Sequence, residues 1–250
     1  MRMSTMSLED PSIWYWIVRA YTSRQLTKES DRLIAISGIA TRIRKDAGDR
    51  YLAGLWRKSL AYDLCWFSVQ RLRKQHRNSW APSWSWASVQ GAVSFYSVYE
   101  PEENNVYCVE IIEAHVDETI GEDGTLRVDG VISLIGFIIP IAWVKDKHSD
   151  GDYSTYILIV RTTPSFDDSH KVTAFSDIKF HRNDLVREIY CLLLKRRASN
   201  DPLSRGFHST ALVLRPSPSV SGAYERIGLL NILPDKFDIF HDYDQARESS

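Results

Sequence analysis

At 250 residues, with 44% hydrophobic and 25% charged side chains, the chain has the composition of an ordinary soluble globular protein and room for one large domain or two small ones. Its 31 lysines and arginines against 32 aspartates and glutamates leave a net charge of -1, so no global field recruits nucleic acid or an acidic membrane. Cys65, Cys108 and Cys191 are too far apart and too few for a disulfide framework or a zinc site, and they fit a reducing, cytoplasmic compartment.

The first residues, Met-Arg-Met-Ser-Thr-Met, contain no apolar segment of the secretory kind. Asp10 as N-cap and Pro11 at the first helical position predict a helix opening. Ile13, Trp14, Ile17, Val18 and Tyr21 then recur at one-face spacing, with Trp16 off the stripe. A short helix that is aromatic on more than one side needs another element to cover it. Trp14, Ile17, Val18 and Tyr21 are therefore expected to form a docking face for a protein partner, and the chain is expected to be a fragment of something longer. A second helix is signalled by Thr27 or Ser30 as N-cap, carries Leu33, Ile36, Ala40 and Ile43 as its buried stripe, and ends near Gly48. Tyr51 with Leu55 and Leu52 with Trp56 fall four apart, and Leu60 and Leu64 continue the stripe into a third helix that reaches Trp66 and Phe67.

The basic run from Arg71 to Arg77 reads as a solvated linker. It sets the expected organisation: a helical segment over 1–70, a linker over 71–79 and a β-rich domain over 80–250. In Trp80–Val89 the hydrophobic period changes from 3.6 to 2. As a strand, this stretch places Trp84 and Trp86 side by side on one face, with Ser83 and Ser85 on the other. Two neighbouring indoles serve either as a packing anchor, together with Trp56, between helices and sheet, or as a platform that stacks a small molecule or a base. Gln90-Gly91 then makes a turn into a return strand over 93–99. Further strands are expected over 107–116, 126–137, 153–160, 172–175, 188–194, 210–214 and 225–232, with a hairpin at Gly121–Gly124. The apolar run Val131–Val144 is too short to span a membrane and reads as a buried strand, a turn and a second strand. The fold class is α+β: N-terminal helices packed on an antiparallel β-sheet, sandwich or half-open barrel.

Chemistry is harder to find. His115 and Asp117, two apart on an expected strand, face the same way and make half a metal site at most. His181-Arg182-Asn183-Asp184 has the look of a kinase catalytic loop without the other motifs such a site needs. Asp167-Asp168 and Glu102-Glu103 are paired carboxylates in expected loops, and no phosphate loop or nucleophile elbow is present. The expectation is that the chain is not an enzyme: it carries no catalytic, cofactor-binding or metal-binding residue, uses no cofactor and has neither membrane nor nucleic acid as partner.

Four stretches in order, Trp16–Thr27, Ser30–Ala40, Tyr51-Leu-Ala-Gly-Leu-Trp56 and Ala81-Pro-Ser-Trp-Ser-Trp-Ala87, resemble the region downstream of the core of fungal heterokaryon-incompatibility (HET domain) proteins. Ala211-Leu-Val-Leu214 and Tyr224-Glu-Arg-Ile-Gly-Leu229 are similar to the closing strands of the same family. Ile34 stands where the family commonly has proline, and Cys65 where it has leucine. The family's N-terminal core, with its Trp-Gly and Asp-Ala-Cys-Ile motifs, has no counterpart here. The resemblance implies an accessory or regulatory part in fungal non-self recognition and programmed cell death, with a HET core or other incompatibility factor as protein partner. It lends no catalytic residue.

Overall fold

A computed structural model describes residues 12–24, 28–69, 80–96, 105–145, 155–160, 170–177, 188–199, 207–233, 239–240 and 243, with the backbone alone for 45–47, 143–145, 155–160 and 170–173. Asp10, Pro11, Thr27, the basic run 71–77 and the acidic and His-Arg-Asn-Asp motifs at 102–103, 167–168 and 181–184 lie outside the described residues. The chain is α+β with antiparallel sheets, and it divides into two compact units: Met1–Pro101 with Ile111–Leu134, and Glu102–Glu110 with Ile135–Ser250. The division does not fall at 71–79. The tryptophan segment and most of the following hairpin belong with the helices, because their polar groups bond to the helical part of the chain.

The first unit begins with helix α1 (Ser12–Thr22) and, after a 3-10 turn at Glu29–Asp31, helix α2 (Arg32–Ala47). The stripe Leu33, Ile36, Ala40 and Ile43 is buried throughout. Gly48 ends α2 in the left-handed conformation (φ 59°) and donates its N–H to the Arg44 carbonyl, the closing contact that glycine permits without a Cβ clash. Beyond it the helical spacing of Tyr51–Trp56 misleads. These residues form a hairpin of β1 (Tyr51–Leu52) and β2 (Leu55–Trp56), in which Tyr51 faces Trp56 and Leu52 faces Leu55. Positive φ at both Ala53 (47°) and Gly54 (99°) gives the tight reversal that matches strand twist, so tertiary context overrides the four-residue spacing. The expected third helix shrinks to α3 (Leu60–Asp63), after which Trp66–Ser68 is strand β3.

The tryptophan stretch is not a strand either. Residues 83–85 turn and Trp86–Ser88 is a 3-10 helix, capped by the Ser85 hydroxyl, which accepts from the Ala87 N–H at 3.0 Å. The return strand β4 (Val93–Phe95) consequently pairs with β3 and not with the tryptophans. The strands β6 (Val109–Ile120) and β7 (Leu126–Gly136) form a separate two-stranded sheet around the expected Gly121–Gly124 turn. Val131 and Ile135, expected to be buried, are exposed.

The second unit is a ring. Its strands are β5 (Val106–Tyr107), β8 (Ile138–Lys145), β9 (Thr155–Val160), β10 (His170–Ser176), β11 (Ile189–Ala198), β12 (Phe207–Pro216) and β13 (Tyr224–Ile232). The meanders β8-β9-β10 and β11-β12-β13 are joined by antiparallel seams β8–β11 and β10–β13, so the six strands close and β5 extends the β8 side of β11. Where a sheet, a sandwich or a half-open barrel was expected, the antiparallel strands close into a barrel, which leaves the six ring strands paired on both sides. Alternation along the strands, with a register shift opposite Val213–Leu214 that changes the phase of β13, turns Ile139, Ile141, Ile189, Cys191, Leu193, Ala211, Val213, Ile227 and Leu230 into one buried cluster, a packed filling of aliphatic side chains.

Candidate functional site

The most organised cluster of polar and aromatic groups lies in the first unit, and its centre is a backbone oxygen. The 53–54 reversal points the Gly54 carbonyl inward, where it accepts the indole N–H of Trp14 at 2.9 Å and of Trp86 at 2.8 Å. The neighbouring Ala53 carbonyl accepts from the Ser85 hydroxyl at 2.6 Å. Trp66 donates to the Trp84 carbonyl at 2.8 Å, and Trp84 donates to the Gly130 carbonyl at 3.1 Å. Each of these four indoles thus spends its one donor on main chain that no regular ladder would otherwise satisfy. The close approach explains Gly54: a Cβ there would meet Trp86 Nε1 at 2.5 Å and Cε2 at 2.7 Å.

Around this knot the rings pack edge to face. Trp14 lies 5.4 Å from Trp56 and 5.8 Å from Tyr51, and Tyr51 lies 5.2 Å from Trp56, an arrangement that places positive ring edges on negative faces. The start of α2 is tied in by Arg32, whose guanidinium donates to the Val89 and Gly91 carbonyls, pairs with Glu29 at 3.2 Å and lies 5.8 Å from the Trp86 ring centre. Thr22, at the last turn of α1, accepts from the Val93 N–H at 3.1 Å.

A second polar centre, Asp63, sits wholly buried at the end of α3. Its carboxylate accepts from the Tyr15 hydroxyl at 2.6 Å, the Trp56 N–H at 2.6 Å and the Ser59 hydroxyl at 2.9 Å. Burial pushes this carboxyl up to about 7, against the pull of those three donors, and Asp49 adds a smaller push in the same direction. Burial first, and then the Asp63 charge, drives the Tyr15 phenol far above its usual range. With no surface open to solvent, Asp63 meets no solute; what it can do is join α1, α3 and β2 through one proton-sensitive junction.

The anticipated residues fall as follows. Trp14 and Val18 are buried in the unit's own interior, with Ile17 and Tyr21 half-buried, so the expected docking face is turned inward and only Trp16 of this helix presents a large ring to solvent. Trp84 (8% exposed) and Trp86 (0%) are both buried and have no open ring face. Trp56 joins them in the anchor through Trp14 and the Asp63 junction. His115 and Asp117 do face the same way, 2.9 Å apart, on the exposed surface of β6. Among the described residues no group of three or more His, Cys, Asp or Glu side chains could hold a metal ion. The three cysteines are free thiols and buried, and burial raises the Cys191 thiol. Among the described residues no helix is long and apolar enough to cross a membrane.

Asp63, Tyr15, Arg32 and Gly54 escape a reading by motif. A lone carboxylate inside the apolar run Leu60–Phe67 is the one signal that could have found the junction, since a charge in such a run needs built-in donors. Compared with protein-family models, with curated proteins and with solved structures, the chain matches none.

Proposed function

We propose that the chain is a non-enzymatic accessory region of heterokaryon-incompatibility type, acting in the cytoplasm of a fungus in non-self recognition and cell death, and dependent on a protein partner that carries the effector core. What supports this reading is the place of the resembling residues in the fold. The Tyr51–Trp56 stretch supplies the acceptors Ala53 and Gly54, and the Ala81–Ala87 stretch supplies the donors Ser85 and Trp86. The ordered motifs thus spell out one hydrogen-bonded scaffold, and a part whose shared residues are spent on shape is suited to holding a partner.

The test is direct. The purified chain is titrated calorimetrically with a purified HET core, and both are co-expressed in a filamentous fungus beside each alone. Saturable binding together with a change in the death response of the core is the expected result. Absence of binding, with a death response the same with and without the chain, overturns the assignment.

A further inference from the structure

The hairpin β6–β7 is far more exposed than the long strands β11, β12 and β13. Val128 and Ala114 are its only buried side chains, and the other residues of both strands and of the turn between them are half-buried or exposed. Ile112 (52% exposed), Val131 (65%) and Ile120 (78%) stand in solvent on strands that natural sheets would ordinarily cover.

The two edges of this sheet differ. On β7, the Val128 N–H donates to the Trp80 carbonyl at 2.9 Å, and the Gly130 carbonyl accepts from the Trp84 indole, so that side is already taken by the tryptophan segment. On β6, the Arg57 guanidinium reaches the Ile111 and Ile112 carbonyls. Past that point β6 has, among the described residues, β7 as its single strand neighbour and runs on to Ile120. A long, regular edge of this kind is a template for another strand unless charge or shape forbids it.

Charge here forbids one class of partner and invites another. Residues 111–134 hold six carboxylates (Glu113, Asp117, Glu118, Glu122, Asp123 and Asp129) and one arginine, Arg127, a net charge of -5 in a chain of net charge -1. A second copy would bring carboxylates against carboxylates, which guards the edge against self-pairing. A strand alternating lysine or arginine with aliphatic residues would instead set cations beside Glu113 and Asp117 on one face and cover Ile112 on the other.

We infer that the open edge of β6 is a β-augmentation site for a basic, apolar-alternating extended segment of a protein partner. The inference stands whether or not that partner is an incompatibility factor, because it rests on the hairpin alone.

The probe is a synthetic peptide of four Lys-Val repeats with a fluorescent label, titrated into the full chain by anisotropy. Two companions are a Glu-Val peptide of equal length and a Lys-Val peptide with proline in place of two central valines, which keeps the charge and cannot pair as a strand. The Lys-Val peptide should bind at least tenfold more tightly than either companion, and binding should weaken as salt rises. The double variant Glu113→Lys, Asp117→Lys, with an unchanged near-ultraviolet spectrum, should lose at least tenfold in affinity for it. Equal binding of the proline peptide would reduce the edge to a charged surface and overturn the proposal. So would equal binding of the Glu-Val peptide, unchanged affinity in the double variant, or sedimentation showing that the chain dimerises through this hairpin.

Discussion

The two units solve one problem, the satisfaction of buried main chain, in opposite ways. In the barrel the solution is the ladder: six antiparallel strands closed on themselves pair their own N–H and C=O groups, and the interior is left to aliphatic side chains. Around its helices the first unit has strands of only two and three residues, β1 to β4, too short to pair much main chain, so side chains do the work there. Trp14, Trp86 and Ser85 satisfy the reversal at 53–54, Arg32 satisfies 89 and 91, and Asp63 satisfies the Trp56 N–H. Side-chain solutions are specific and brittle: one deletion orphans a buried carbonyl, whereas a ladder loses one filling side chain and keeps its bonds.

That contrast can be broken by substitution, and the chain supplies a local reporter. Seven of its eight tryptophans fall in the first unit, Trp143 alone in the second. The largest effect is expected for Trp86→Ala, which removes the fully buried ring and one of the two donors to Gly54; it should cost about 4 kcal/mol and abolish the near-ultraviolet circular dichroism of the indoles. The far-ultraviolet strand signal of the barrel should persist.

Next comes pH. Asp63 titrates near 7 in the fold against 3.8 as its ordinary value, so the native state holds a proton that the unfolded chain releases. Its contribution is therefore complete below pH 4, falls as pH rises toward 7 and is constant above, a loss of roughly 4 kcal/mol. Urea midpoints read by tryptophan fluorescence between pH 4 and pH 8 should show the fall in the natural chain and a flatter profile in Asp63→Asn; identical profiles would remove the junction's role.

In the barrel, Leu193→Ala should cost about 3 kcal/mol and leave the indole spectrum in place, since it opens a void without orphaning a polar group. The finest test is a cycle of Trp14→Phe and Trp86→Phe. Either change alone leaves the Gly54 carbonyl one donor and should cost about 1 kcal/mol; both together leave it none, so the double variant should be worse than additive by about 1 kcal/mol in chemical denaturation.

How far the sequence spoke depended on which of these solutions a segment uses. Strands 189–198, 207–216 and 224–232 announced themselves through long β-branched and leucine-rich runs, and α2 through its stripe and Gly48. Closure of the ring was not legible, because it depends on which distant strands meet. The tryptophan segment was misread as a strand because alternation and a turn between two indoles look alike over three residues, and the inward face of α1 was misread as outward because its cover, the 51–56 hairpin, was itself taken for helix. Trp56, Trp84 and Trp86 are legible as bulky rings, while the Gly54 oxygen on which Trp14 and Trp86 converge has no letter of its own.

Ring closure also carries a kinetic consequence. The seam joining Ile141 to Ile189 and the seam joining Thr173 to Asn231 each bring together positions separated by several dozen residues of chain. Each meander can zip locally on its own, but neither seam rewards the chain until a long loop has been closed against its entropy. Refolding of this unit should accordingly be governed by the docking of two preformed three-stranded halves, with the β8–β11 and β10–β13 seams the last to form.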